Sequence, residues 1–135
     1  MGQAPGSEQE EQALAGDPRL LAAVELFNSG EWYGCHDGLE ELWHETAGPM
    51  RQVLQGILQI AVGQLHHSRG NLRGAMILTG EGLGRLQSSP DEALGLNLVA
   101  LRQHARSWLD ALQGGQDTTG LQPPCLSSLN QKHGL

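Results

Sequence analysis

Between Pro49 and Ser68 the chain carries Val53, Leu54, Ile57, Leu58, Ile60, Ala61, Val62 and Leu65, apolar at helical spacing on more than one face. A helix of that kind cannot leave one side in water, so it needs neighbours on several sides and belongs in the middle of a bundle. Its aliphatic run, Val53 to Leu65, is too short and too broken by Gln to cross a bilayer, so no membrane association is expected. No strand pattern competes with helix anywhere in the chain.

Clear punctuation surrounds this segment. Asp17-Pro18 supplies an N-cap followed by the residue best suited to the first helical position. That first helix carries Leu20, Leu21, Val24, Leu26 and Phe27 to the stop at Asn28-Ser29-Gly30. A second runs from Trp32 to Thr46 and is ended by Gly48-Pro49; Gly70-Asn71 then ends the central one. A fourth helix, Leu72 to Leu86, is weakened by Gly74, Gly80, Gly82 and Gly84. Ser89-Pro90-Asp91-Glu92 reads as the start of the last helix, with Ser89 as cap and Glu92 completing a capping box. That helix continues through Leu96, Val99, Leu101, Trp108, Leu109 and Leu112. The expectation is an all-α, single-domain antiparallel bundle of about five helices over residues 17–113. Residues 1–16 read as a disordered leader and 114–135 as a flexible C-terminal tail rich in Gly, Thr and Pro. Gly30-Glu31-Trp32-Tyr33-Gly34-Cys35 is echoed forty positions later by Gly70-Asn71-Leu72-Arg73-Gly74-Ala75. Small residues recurring at helix crossings suggest tetratricopeptide-like pairing.

The formal net charge is −7, with 15 Asp and Glu against 8 Lys and Arg, and there is no basic stripe. Such a chain is poorly suited to a phosphate backbone, so no nucleic-acid partner is expected. The chain does not open on a basic region followed by an apolar run, so no signal peptide is expected. Cys35 and Cys125 make no disulfide framework, and a reduced, cytoplasmic protein is the plain reading. A core of this size leaves apolar helix faces to cover, which points to a homo-oligomer or a protein partner.

The chemistry-bearing residues concentrate on the second and third helices. On a helix Glu40 and Trp43 fall within about 40° of the direction of His36, bordering the apolar face of Cys35, Leu39 and Leu42. Gln52, Gln55 and Gln59 recur at helical spacing on the next helix, and their stripe continues through Gly63 to His66 and His67. Buried alone, each unsatisfied amide would cost about 1–3 kcal/mol, so these residues must reach water or partners. The short Gly-Pro turn makes the two helices antiparallel neighbours. That pairing is expected to bring His36 level with His66 or His67, and Glu40 toward Gln59 and Gly63.

His36-x-x-x-Glu40-x-x-Trp43, Leu54-Gln55-Gly56-x-x-Gln59-x-Ala61 and His66-His67-x-x-Gly70-Asn71-x-x-Gly74-Ala75 together resemble the domain-of-unknown-function family numbered 309. The resemblance covers Leu26 to Leu86. It implies a small all-helical protein of unassigned biochemical role, with a His-x-x-x-Glu-x-x-Trp motif suggested to bind metal; here that nominates His36 and Glu40. Asp37 stands where many members carry Glu, one carbon shorter in reach.

Two readings follow from the residues. In the first, His36 and Glu40 bind a divalent, zinc-like ion with His66 or His67 as a third ligand, while Gln55 and Gln59 orient them from behind. An open position there could activate water, although the two-His metalloprotease spacing is absent and no catalytic residue is named. In the second, the chain is a non-enzymatic helical interaction or oligomerisation module. Glu40 then accepts hydrogen bonds from His36, from a Gln of the third helix or from the Trp43 indole, and the cluster is a structural network. Trp32 and Trp108 read as packing anchors, His44 and Glu45 as solvated residues, and Cys35 as a small buried thiol at a crossing.

Overall fold

A computed structural model describes residues 7–129. Its helices are α1 (Ser7–Ala15), α2 (Pro18–Asn28), α3 (Trp32–Glu45), α4 (Met50–Ser68), α5 (Leu72–Leu86) and α6 (Leu98–Gln113). A minimal antiparallel hairpin, β1 (Glu92–Ala93) and β2 (Leu96–Asn97), joins the last two. The chain is therefore all-α in class. Each helix from α2 to α6 packs chiefly on its sequence neighbours, and α4 and α5 form the most extensive pair.

The cap expected at Asp17 is in place. Asp17 accepts the Arg19 amide at 2.8 Å, and Asn71 accepts the Gly74 amide at 2.9 Å. Gly30 and Gly70 end their helices with φ of 76° and 78°, a backbone turn that residues with a Cβ rarely adopt. The α4 segment is as apolar in its surroundings as in its sequence: Leu54, Ile57, Ile60 and Ala61 are completely buried. Phe27, Cys35, Leu39, Leu42, Leu86, Leu98 and Leu101 complete that core from the other helices. Burial pushes the Cys35 thiol up to about 12, which makes it a packing group.

Tight glycine contacts mark the crossing of α4 and α5. A Cβ at Gly82 would lie 2.7 Å from the Gly56 carbonyl oxygen and 3.1 Å from the Ile60 amide nitrogen. One at Gly63 would lie 2.6 Å from the Thr79 hydroxyl. The helices approach closely enough for backbone to touch backbone, and only hydrogen fits between them.

Three features differ from the sequence expectations. Ser7–Ala15, expected within a disordered leader, is helical, and residues 1–6 lie outside the described residues. Two adjacent carboxylates hold this helix. Glu10 accepts the Gly48 and Met50 amides at 2.8 and 3.3 Å, and Glu11 accepts the Leu94 amide at 2.9 Å. Pro49 has no side-chain cap to offer α4, so Glu10 caps that helix from forty residues away. Favourable charge at a helix N-terminus reinforces the bond.

Second, the last helix does not start at Ser89-Pro90. The chain instead turns through Leu94 and Gly95, with φ of 59° and 72°, in a two-residue hairpin. This buries Ala93, Leu94 and Leu96, and α6 begins at Leu98 under an Asn97 cap whose oxygen accepts the Ala100 amide at 3.2 Å. Asp91 pairs with Arg102, which also donates to the Leu86 carbonyl at 3.2 Å and so closes the end of α5. Third, residues 114–129, expected within a flexible tail, lie against the helices. Leu126 is 3% exposed within the core, and Ser128 bridges to Leu96. Residues 130–135 lie outside the described residues.

Candidate functional site

His36 and Glu40 are one turn apart on α3, with Nε2 and Oε2 separated by 3.6 Å. The other ring nitrogen of His36, Nδ1, lies 3.3 Å from Asp37. The imidazole is thus flanked by carboxylates on both sides, on a surface where its side chain is 27% exposed and that of Glu40 48%. Trp43, the third member of the motif, faces elsewhere. Arg51 of α4 lies over its ring, 3.9 Å from the centroid, and donates to the Trp43 and Thr46 carbonyls at 3.0 and 3.1 Å. Cation and indole attract by about 0.5–1 kcal/mol at a partly exposed site, while the guanidinium adds donors to two carbonyls at the end of α3. The Trp43 indole N–H is buried without a hydrogen-bond partner among the described residues, so it does not donate to Glu40.

The glutamine stripe turns toward α5. Gln59, 8% exposed, donates to Glu81 at 3.2 Å and accepts from the Arg85 Nε at 2.9 Å. Arg85 reaches on to Gln52 at 3.3 Å, and Gln55 lies half-buried between the two on the same helix. Both the nitrogen and the oxygen of the Gln59 amide are therefore bonded across the α4–α5 crossing, near the Gly56–Gly82 contact that brings the helices together. Glu81 and Arg85 were missed in the sequence. Their signal was an acid and a base four residues apart, opposite a matching amide pair.

The two histidines at the end of α4 part company. The Asn71 amide nitrogen lies 3.2 Å from His66 Nδ1, at the turn into α5. His67 points to the other side, with Nε2 2.8 Å from the Thr118 hydroxyl and its ring edge-on to Trp108 at 4.8 Å. Helix lengths argue against His36 standing level with His66 or His67. His36 stands nine residues before the end of α3, and nine residues into α4 from Met50 is Gln59. His66 and His67 lie seven and eight residues further, about 10–12 Å along the axis. Among the described residues, no group of three or more His, Cys, Asp or Glu side chains is placed to hold a metal ion. Of the residues nominated as ligands from sequence, His36 and Glu40 adjoin one another and provide two donors, fewer than the three or four of a protein zinc site.

A further cluster ties α2 to α3. Arg19 pairs with Asp17, Glu41 and Glu45, each at 2.8 Å, so Glu45 is held rather than freely solvated. The Arg19 guanidinium, by hydrogen bonding first, keeps the Asp17 and Glu45 carboxyls below the usual carboxylate range.

These features define an all-α protein of successively packed helices whose polar residues lie at helix crossings and at one exposed imidazole–carboxylate edge. Residues 20–78, from α2 to the middle of α5, match the family described as Domain of unknown function (DUF309). The chain is also similar to the uncharacterized protein YpuF of Bacillus subtilis (strain 168), 35% identical over 77 residues, or 55% of this chain and 44% of that protein. The chain thus spans less than half the length of this relative. None of the described helices is long and apolar enough to cross a membrane.

Proposed function

We propose that this chain is a non-enzymatic helical binding module, and that its His, Glu and Gln residues fix the register of the helices that display the binding surface. The observation that carries this reading is the fate of Gln59. The most buried amide of the stripe spends its donor and its acceptor on Glu81 and Arg85 of the neighbouring helix. His67 is likewise engaged by Thr118 and Trp108, and Trp43 by Arg51. A network satisfied in this way specifies packing and leaves no converging set of groups for chemistry. Leu21, Tyr33, Leu72 and Ile77 are exposed at 57%, 60%, 56% and 43%, and supply apolar surface for a partner.

Elemental analysis of the untagged full chain, after incubation with zinc or manganese and gel filtration, tests the reading. The expected result is no stoichiometric metal, with melting unchanged by either ion or by chelator. One ion per chain, lost in His36→Ala and Glu40→Gln, would overturn it in favour of a metal centre on those two side chains.

A further inference from the structure

Residues 114–129 form a strap that leaves α6 through Gly114-Gly115 and crosses to the hairpin. Its hydrogen bonds reach alternate helices. Thr118 meets His67 of α4, and the Gln122 carbonyl accepts the Trp108 indole N–H of α6 at 2.8 Å. At Leu126 the Asn28 side chain of α2 donates to the carbonyl at 2.9 Å and accepts the amide at 2.7 Å. Beyond it, the Ser127 carbonyl accepts the Asn97 amide and the Leu129 amide donates to the Gly95 carbonyl, both at 2.9 Å. Nearly all of these contacts read the main chain of the strap. Its firmest side-chain anchors are Leu126, in the core, and the buried Pro124.

Main-chain bonds to an extended segment, combined with a pocket for a chosen side chain, are the means by which folded domains recognise peptides. Asn28 is built for this, because one carboxamide can pair with the amide and carbonyl of a single extended residue and with no helical one. The strap from Thr118 to Leu129 carries no charged residue, and the groove meets it with Asn, Trp and His side chains and main-chain groups. We propose that the strap is the built-in occupant of a peptide groove on α2, α4 and α6. The outside partner is an extended, uncharged protein segment with Pro-Pro followed two residues later by Leu, matching Pro123-Pro124-Cys125-Leu126. It enters by displacing the strap, which swings on Gly114-Gly115. This identifies a partner for the binding module and rests on that reading.

A tethered strap competes at high effective concentration, so weakening it should strengthen binding of a free peptide by about tenfold or more. The test uses a fluorescein-labelled synthetic peptide of residues 117–129, titrated into the full chain and into Leu126→Ala, with anisotropy as the readout. Saturable binding is expected, tighter in Leu126→Ala and lost when Asn28→Ala is added. Leu126→Val, which keeps most of the buried side chain, replaces Leu126→Ala if that variant does not fold. Absence of binding in the folded variant, or binding indifferent to Asn28→Ala, overturns the groove. So does a dimer formed by exchange of straps between copies, seen by light scattering. None of these outcomes introduces a stoichiometric metal, so failure of the groove stays distinct from failure of the binding-module reading.

Discussion

Gly82→Ala is expected to destabilise the chain by about 2–3 kcal/mol, the scale of an overpacked core contact that cannot relax. The added methyl meets the Gly56 carbonyl oxygen at 2.7 Å and the Ile60 side chain at 2.9 Å, both on α4. Backbone cannot swing aside as a side-chain tip can, so the two helices must separate along their most extensive contact. Gly84→Ala is the control. A Cβ there meets nothing within 4 Å, and the position is exposed. It is expected to raise stability by up to about 1 kcal/mol, because alanine is the better helix former. Urea unfolding of the two variants measures both. Equal effects at the two positions would show that the α4–α5 approach is looser than described.

Glu10→Ala carries the second large effect, a loss of about 2 kcal/mol. Its carboxylate caps the start of α4 through the Gly48 and Met50 amides, where Pro49 offers no side-chain cap, and it docks α1 at the same time. Glu10→Gln keeps one acceptor oxygen and is expected to lose about half as much. Hydrogen exchange distinguishes this from a general weakening. The Gly48 and Met50 amides and those of α1 should exchange faster in Glu10→Ala while the α5 amides keep their protection. Unchanged exchange at Gly48 would refute the capping role.

The helices were legible because their signals are local. Asp17-Pro18, Gly30, Gly48-Pro49 and Gly70-Asn71 act within a turn of their own positions, and the apolar faces of α2 to α5 repeat at helical spacing. Errors arose where a distant residue decides. Ser89-Pro90-Asp91-Glu92 has the form of a helix start, yet Asp91 is drawn to Arg102 and the next apolar residues bury better in a hairpin. Ser7–Ala15 has little apolar character of its own and is held by bonds from Glu10 and Glu11 to backbone far along the chain. The strap gains its order from Asn28 and Trp108, which nothing in its own composition signals. At the site, the stripe of Gln52, Gln55 and Gln59 was readable as a group needing partners. Its true partners, Glu81 and Arg85, lay on the helix after it rather than the one before. Gly82, read with the other α5 glycines as a weakness, meets α4 backbone and lets that helix come close enough.

The register-setting role of the buried amide is tested most directly by a double-mutant cycle on Gln59→Met and Arg85→Met, with unfolding free energy as the readout. The two side chains join at 2.9 Å across α4 and α5, with Gln59 almost fully buried. The expected coupling is about 1 kcal/mol or more, the scale of a hydrogen bond to a charged group. Additive losses, with no coupling between the two sites, would contradict a structural role for Gln59 and return the amide stripe to the pool of groups free to bind a ligand.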